Sequence, residues 1–400
     1  MPRLIFVPLS LPRRNEGGHA AAWRKGHPIE IIKYRGRNTM NERIYNFNPG
    51  PAVLPEDVLR EVQAELLNFN GTGMSILEIS HRAPAYDEVH QQTKADIKEL
   101  MGLGDDYDVV FTAGGASQTF ALIPLNFATV AHPGSYALSG SFSEKAYEEA
   151  VKLGVGTVAA STKEEDYVRV PRQDELNILP RAAYLHLCLN NTIYGTEYHY
   201  TPQTNGIPLV ADMSSDILSR PWDFSSYDFI YAGVQKNLGP AGVVLNVAKK
   251  KLLESSPAEL PTMLRYSTFQ KNDSLYNTPP VFAIYMVGKT VRWIKEHGGL
   301  AAMGEANAQK AALLYDAIDS SDGFYRGHAE KGSRSRMNVT FRLASESLND
   351  DFVAQAKELG LSGIKGHRSV GGMRASIYNA MPLAGVEKLA EFMAEFRKKH

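Results

Sequence analysis

The sequence contains a single cysteine, Cys188, among its 400 residues. One thiol cannot form a disulfide within the chain, so hydrophobic packing must hold the fold, and we expect a reducing compartment, the cytoplasm. The sequence also lacks the H-E-x-x-H and C-x-x-C motifs, whose spacing is typical of zinc ligands. We therefore expect chemistry that uses no metal ion.

Long hydrophobic runs and an excess of one charge are missing as well. No apolar stretch approaches the ~18 residues that cross a bilayer, which argues against a membrane-embedded protein. The 43 Lys and Arg residues nearly balance the 44 Asp and Glu residues, for a formal net charge of -1. Because such a chain has no overall field that would attract nucleic acid or an anionic membrane, any anion must be bound by a local cluster. We expect small-molecule partners.

Residues 1–39 differ from the rest because they are basic and contain few acids. Eight basic side chains against two acidic ones give this segment a formal charge of +6. Such a composition can mark an organellar transit peptide, but prolines at positions 2, 8 and 12 interrupt an early amphipathic helix. The alternatives are a disordered extension, or an over-long start before Met40. The fold prediction therefore begins at residue 40.

Between residues 40 and 285, apolar runs of strand length alternate with helical patterns. The segment "PEDVLREVQAELLNF" predicts a helix that begins near Pro55 and has Val58, Val62 and Leu66 on one face. Strands are predicted for the runs "YDVVFT", "SYALSG", "AAYLHLCLN", "IPLVADMSS" and "YDFIYAGVQ". Strands that are apolar throughout and separated by helices are typical of a mostly parallel sheet covered on both faces. We predict a large α/β domain over residues 40–285.

A smaller α/β domain is predicted over residues 286–400. The helix "PPVFAIYMVGKTVRWIKEHGG" connects the two domains, because prolines precede it and Gly298 and Gly299 end it. Strand, helix and strand patterns follow in "SRMNVTFRL", "DDFVAQAKELG" and "GMRASIYN". The last helix is expected to turn inward a face formed by Val386, Leu389, Ala390, Met393 and Phe396.

A glycine turn follows the first predicted strand. Ligands of open parallel sheets bind beyond the carboxyl ends of the strands. There the chain places Gly114, Gly115, Ala116, Ser117 and Gln118 at the start of a helix. The free amides of a helix start favour a phosphate group. The spacing is not G-x-G-x-x-G, so no dinucleotide is specifically indicated, and an ordinary tight turn fits the pattern as well.

Two later strand ends carry an acid and an amine. Asp212 ends the run "IPLVAD", where an unpaired carboxylate would cost several kcal/mol or take up a proton, although it fits a turn-capping role too. Lys236 follows the run "FIYAGVQ", 24 positions later. A lone lysine is usually a solvated surface charge. Next to a carboxylate and a phosphate site, it points to pyridoxal phosphate, which needs a lysine amine and an acid at its ring nitrogen.

Several stretches of this chain resemble the phosphoserine aminotransferases, which are fold-type I, class V pyridoxal phosphate enzymes. They are "FNPGPAVLP", "EISHRAP", "FTAGGASQTF", "ADMSSDILSRP", "YAGVQKNLGPAG", "YNTPP", "RSRMNV" and "KGHRSVGGMRASIYNAMP". The likeness runs from about Ile44 to the C-terminus. It implies the fold-type I transferase fold, pyridoxal 5'-phosphate as cofactor, and a homodimer whose active sites are completed across the subunit interface.

The resemblance also implies a cofactor site. Lys236 would bond covalently to the cofactor, Asp212 would face its ring nitrogen, and Thr192 would hydrogen-bond its phenolic oxygen. Phe142 stands where the family usually has a tryptophan stacked on the ring; phenylalanine still offers a π-face, but with less area and no N–H. The residues implied at the phosphate are Ala116, Ser117, Gln235 and, reaching the other subunit's cofactor, Asn277 and Thr278.

Two clusters of cations are implied at the substrate. Arg374 would hold the α-carboxylate, since a planar guanidinium binds a carboxylate with two parallel bonds. The distal anion would meet His81 and Arg82, with His367 and Arg368 from the partner chain. The reaction implied is amino transfer between O-phospho-L-serine and 3-phosphooxypyruvate, with L-glutamate and 2-oxoglutarate, in serine biosynthesis. Action on 4-phosphohydroxy-L-threonine in pyridoxine biosynthesis stays open.

Rival functions use some of the same features. A nucleotide-binding protein could use the Gly114 turn, but it has no need of Lys236 near Asp212. An alanine–glyoxylate or serine–pyruvate type aminotransferase would keep the cofactor, but it would not need two clusters of cations. A cysteine desulfurase needs a mobile thiol, whereas Cys188 lies in an apolar strand pattern typical of a core residue.

Overall fold

The computed structural model describes residues 43–400, so the predictions for residues 1–39 lie outside the described residues. The helices in this range are α1 (Glu56–Glu65), α2 (Pro84–Met101), α3 (Gly115–Phe127), α4 (Ser141–Lys152), α5 (Lys250–Glu254), α6 (Tyr266–Lys271), α7 (Val281–Glu296), α8 (Gly299–Asp319), α9 (Asn349–Glu358) and α10 (Leu383–Lys399). The strands are β1 (Tyr45–Asn46), β2 (Tyr107–Thr112), β3 (Gly134–Leu138), β4 (Gly156–Ser161), β5 (Tyr184–Cys188), β6 (Asn190–Asn191), β7 (Thr196–Glu197), β8 (Leu209–Asp212), β9 (Phe229–Gly233), β10 (Val244–Lys249), β11 (Tyr325–Gly327), β12 (Asn338–Leu343), β13 (Leu361–Ser362) and β14 (Met373–Ser376). None of these helices is long and apolar enough to cross a membrane.

A seven-stranded sheet in the order β2-β10-β9-β8-β5-β3-β4 forms the centre of the fold. Strand β10 runs antiparallel to both of its neighbours, and the other pairs are parallel. The predicted mostly parallel α/β sheet is therefore confirmed. Because β8 and β9 are adjacent and parallel, Asp212 at the end of β8 and Lys236, three residues beyond the end of β9, lie at the same edge of the sheet.

The strands are apolar throughout because both faces of the sheet are buried. In β8, Leu209 and Ala211 pack into one core and Val210 packs into the other. In β9, Ile230 faces the first core and Tyr231 the second. A helix such as α7 covers the first face, while α3 and α4 cover the second. This arrangement explains why the sequence shows continuous apolar runs and no polar alternation.

A third core lies around the sheet β11-β12-β14, with α8, α9 and α10 packed on it. On α10, Val386, Leu389, Met393 and Phe396 are buried, and Ala390 packs against them partly buried. Strand β1 pairs with β13, and Phe47 belongs to this core, so the start of the described chain packs with its C-terminal part. Residues 44–400 form one compact unit. The division at residue 285 stays a prediction.

Candidate active site

Asp212 lies at the carboxyl end of β8 with only 4% of its surface exposed. Its Oδ1 accepts a hydrogen bond of 2.8 Å from the backbone N–H of Ser214, so it also caps the turn that follows. Burial raises the pKa of Asp212, while the charge of Lys236 and the hydrogen bonds of Ser214 act in the opposite direction. The carboxylate therefore depends on the neighbouring amine.

The Lys236 amine lies among the side chains that sequence reasoning assigned to the cofactor ring. Its Nζ donates a 2.7 Å hydrogen bond to Thr192 Oγ1 and lies 4.7 Å from the centre of the Phe142 ring. Burial lowers the pKa of Lys236, and the charge of Asp212 partly offsets this effect. The structure thus brings Lys236, Asp212, Thr192 and Phe142 together at one edge of the sheet.

Gly50 touches the lysine from the N-terminal segment, which the sequence did not connect with Lys236. The backbone N–H of Ala52 donates to the carbonyl of Gln235 over 3.0 Å, which holds this segment against the lysine. A methyl group on Gly50 would lie 3.2 Å from Lys236 Cγ, and Gly50 has a φ of +145°. A residue without a side chain is therefore needed here.

The glycine turn after β2 leads directly into α3. Gly114 precedes the helix with a φ of +92°, and a Cβ there would overlap the Gln118 side chain at 1.5 Å from its Oε1. Ala116 and Ser117 lie in the first turn of α3, where backbone N–H groups have no partner within the helix. These amides lie at the same sheet edge as Asp212, because β2 runs in the same direction as β8.

Three residues predicted to bind the cofactor phosphate lie near this edge of the sheet, and no contact within the described chain shows what they bind. Asn277 and Thr278 are exposed and line a cavity of about 150 Å³ together with Ala113 and Gln118. Gln235 is half-buried beside Gly233. Their contact with a cofactor phosphate, and with that of a second subunit, stays a prediction.

Arg374, on β14, is a buried cation that no carboxylate of residues 43–400 pairs with. Only 5% of its surface is exposed, and the one hydrogen bond of its guanidinium within the described chain is a 3.4 Å contact from Nη1 to the carbonyl of Thr192. Its Nε is buried with no partner in residues 43–400. Burial lowers the pKa of Arg374. Because an unpaired buried charge is unfavourable, this guanidinium is available for an anionic ligand.

His367 lies beside Arg374, and both line the same small cavity of this chain. The His367 Nδ1 lies 2.7 Å from the hydroxyl of Ser369. Burial lowers the pKa of His367, and the charges of Arg374 and Arg368 lower it further. Since these three residues are close within one chain, the contribution of His367 and Arg368 to a partner's site stays a prediction.

His81 and Arg82 lie in the loop before α2. No hydrogen bond or ion pair within residues 43–400 joins either of them to Lys236, Asp212 or Arg374. The Nε2 atom of His81 is buried without a partner in that range, and Arg82 is exposed. The role of His81 and Arg82 at the distal anion therefore stays a prediction.

Sequence reasoning missed Lys145, one turn after Phe142 on α4. Its Nζ lies 5.6 Å from the centre of the Phe142 ring, and its charge lowers the pKa of His367. The spacing of three residues on a helix was the signal that could have found it. It also missed Tyr231 and His186, which look like ordinary core residues in apolar strands.

Comparisons with known proteins cover the part of the chain that contains these residues. The model of the Aminotransferase class-V family matches residues 44–389. A phosphoserine aminotransferase of Geobacillus kaustophilus (strain HTA426) is 55% identical over 358 residues, which make up 90% of this chain and 99% of that protein. The solved phosphoserine aminotransferase of Bacillus circulans subsp. alkalophilus is 50% identical with a TM-score of 0.88, covering 89% of this chain and 99% of that one. A pyridoxal phosphate-bound phosphoserine aminotransferase from Trichomonas vaginalis is 36% identical with a TM-score of 0.82, covering 88% and 100%.

Proposed function

This chain belongs to the aminotransferase class-V family, and from that premise we propose that it transfers an amino group between phosphoserine and 2-oxoglutarate in serine biosynthesis, using pyridoxal phosphate. The observation that carries the proposal is the Lys236 amine, held 2.7 Å from Thr192 Oγ1 and 4.7 Å from the Phe142 ring centre, beside buried Asp212. Relatives at 50–55% identity carry the name phosphoserine aminotransferase. An alanine–glyoxylate type enzyme is therefore the weaker alternative.

The residues present fit the cofactor. Lys236 and Thr192 would hold its reactive side, Asp212 its ring nitrogen, and Phe142 its face, while the first amides of α3 would hold its phosphate. When bound, pyridoxal phosphate supplies a ring that withdraws electrons from the substrate's α-carbon. A Cβ at Gly114 would overlap the Gln118 side chain, and its φ of +92° favours glycine at the start of this turn.

Each site residue then has a chemical task. Because burial lowers the pKa of Lys236, its amine can give up its proton and take one from the α-carbon of the substrate. Asp212 would hold a proton on the ring nitrogen as a carboxylate, and the charge of Lys236 and the hydrogen bonds of Ser214 act against the rise of its pKa on burial. The Phe142 ring would shield one side of the amine, since its centre lies 4.7 Å from Nζ. Thr192 fixes the direction in which the amine points.

Substrate binding is assigned to the cations. Arg374 would bind the α-carboxylate, because its buried guanidinium lacks a carboxylate partner within the described chain. His81, Arg82, His367 and Arg368 would bind the distal anion, which is a phosphate in one substrate and a carboxylate in the other. A site shared by these two substrates needs several cations that can rearrange, which suits exposed arginines.

We propose further that the enzyme is a homodimer with shared active sites. Exposed apolar side chains lie near His81 and Asn277 along the chain: Leu67 is 86% exposed, and Met74, Leu77 and Tyr276 are also exposed. A patch of this kind beside polar residues is typical of a protein–protein interface. It would give His81 and Arg82 a second subunit's site to act in, since neither has a hydrogen bond or ion pair with Lys236 within residues 43–400. We also propose a cytoplasmic location, since the one thiol of the chain is free.

A half-reaction titration tests the function. We expect purified enzyme to show the visible absorbance of bound pyridoxal phosphate, and O-phosphoserine and glutamate to discharge it at far lower concentrations than alanine. A Lys236→Ala variant should fold normally and lose the visible band. Preference for alanine, or full turnover by Lys236→Ala, would contradict the proposal. Titration with 4-phosphohydroxythreonine in the same assay decides whether that substrate is also used.

A further inference from the structure

Two buried residues stand behind Asp212 on the strands that flank it. Tyr231 on β9 is the direct neighbour of Asp212, and His186 on β5 pairs with Val210, two residues before Asp212. Side chains two residues apart share a face of the sheet, so all three side chains lie on the same face. His186 Nε2 lies 2.8 Å from the Tyr231 hydroxyl, and this bond crosses over β8. Neither residue has a task in the mechanism above.

The hydrogen bonds of His186 determine where its proton is. His186 Nδ1 is buried with no partner within residues 43–400, and burial lowers the pKa of His186 to about 3, so the ring is neutral. A buried N–H without an acceptor is more costly than a buried lone pair without a donor, so the proton belongs on Nε2. Nε2 then donates to the Tyr231 oxygen. This leaves the Tyr231 O–H free to donate to another group.

Asp212 is the acid placed to accept from that hydroxyl, because it is the direct neighbour of Tyr231 across β8 and β9 and lies on the same face of the sheet. The Tyr231 side chain also acts to lower the pKa of the Asp212 carboxyl. The other groups whose charges are coupled to that of Asp212 are Lys236 after β9, Cys188 on β5 and Asp216 in the turn after β8. Lys236 is the one cation in this set, and its amine must change its protonation during the reaction. A neutral donor would support Asp212 throughout the cycle.

We propose that Tyr231 and His186 are positioning residues that aim Asp212 at the ring nitrogen of the cofactor and keep it ionised. The chain of donors runs from His186 Nε2–H to the Tyr231 O–H and then to the Asp212 carboxylate. Tyr231 acts directly on Asp212, and His186 acts through Tyr231 by fixing the direction of its hydroxyl. This inference rests on the proposed function, because it gives Asp212 its role at the cofactor.

Tyr231→Phe is the sharpest variant, because the phenyl ring keeps its contacts with Phe120 and Phe229 and loses only the hydroxyl. Tyr136→Phe is the matched control: Tyr136 also packs on His186, with ring centres 5.1 Å apart, but its hydroxyl bonds to that of Tyr184 at 2.6 Å. His186→Gln keeps an N–H donor near the position of Nε2, whereas His186→Met removes it. Melting temperatures identify any variant that fails to fold.

The test reconstitutes each holoenzyme with pyridoxal phosphate that is isotope-labelled at its ring nitrogen, and follows the nitrogen NMR shift with pH. We expect Tyr231→Phe to lower the pH at which the ring nitrogen loses its proton by about one unit and to slow the phosphoserine half-reaction about tenfold, with little change in half-saturation. His186→Met should show a smaller shift in the same direction, His186→Gln should restore it, and Tyr136→Phe should match wild type. A Tyr231→Phe enzyme with the nitrogen shift and rate of Tyr136→Phe would overturn the inference. Failure of the wild-type protein to bind the labelled cofactor would instead overturn the proposed function.

Discussion

Replacing Arg374 by methionine should change stability and activity in opposite directions. Arg374 is 95% buried as a residue, and its guanidinium has one 3.4 Å hydrogen bond within the described chain and an Nε without a partner there. Methionine has a similar length and no charge to desolvate, so we expect the apo-protein to gain about 1–2 kcal/mol and its melting temperature to rise by about 1–4 °C. Loss of a buried charge pair with the substrate carboxylate costs about 3 kcal/mol, so kcat/KM should fall roughly 150-fold.

Arg334→Met is the matched control. The Arg334 guanidinium contacts both carboxylate oxygens of Asp319, at 2.6 and 2.9 Å. Replacing Arg334 therefore removes both of these bonds from the Asp319 carboxylate. We expect this variant to lose about 1–3 kcal/mol of stability with little change in kcat/KM. Thermal denaturation of the apo-proteins and steady-state kinetics with phosphoserine measure both effects. If Arg374→Met were destabilised like Arg334→Met, or retained its kcat/KM, Arg374 would be a structural residue and the substrate assignment would be wrong.

Three further variants probe other parts of the site. In Gly50→Ala, the new methyl group would lie too close to the aliphatic part of the Lys236 side chain. Stopped-flow half-reactions should therefore show a rate lowered about tenfold. An unchanged rate would mean that the loop around Gly50 moves to accommodate the methyl group without displacing the lysine. The pKa of His367 is lowered without a ligand, and a bound phosphate should raise it. KM for phosphoserine should therefore increase between about pH 6 and 8 in the wild-type enzyme and stay flat in His367→Asn. Equal pH profiles of KM would show that His367 does not bind the distal phosphate. Lys310→Met leaves three buried carbonyls without the Nζ donor. The variant also avoids the cost of burying the ammonium, so urea unfolding should show a net decrease of about 3 kcal/mol in the free energy of unfolding. A decrease below about 1 kcal/mol would contradict this reasoning.

The central sheet could be predicted because burial on both faces leaves a direct mark in the sequence. Leu209, Val210 and Ala211 must all be apolar, since neighbouring residues of β8 face different cores. Strand direction then followed from the helical segments between strands, which placed Asp212 and Lys236 at one edge. The reversal of β10 was not predicted, because an antiparallel strand in such a sheet carries the same apolar pattern.

Helices α2 and α8 were not predicted, and their buried faces explain why. The buried face of α2 includes His90, Thr93 and Asp96, and that of α8 includes Asn307 and Lys310. These polar residues interrupt the apolar period of a helix. All of them except Thr93, which bonds to the carbonyl of Val89, are paired in the folded chain with groups far away in sequence. Contacts of this kind, like that of Gly50 with Lys236, leave no local pattern in the sequence.

The charges of the candidate site account for how a chain of net charge -1 can bind doubly anionic molecules. Lys236 and Arg374 are the buried cations of the candidate site, and Asp212 carries the opposite charge. Burial raises the pKa of nearby Asp216 well above its usual value, which disfavours a second negative charge here. The exposed cation Lys145 lies beside the Phe142 ring, which Lys236 also faces. The pocket therefore has an excess of positive charge in the absence of ligands, and this excess is unfavourable until a phosphate and a carboxylate neutralise it. Anion binding should for this reason stabilise the folded protein. The residues responsible would not be found by searching the sequence for acidic or basic segments.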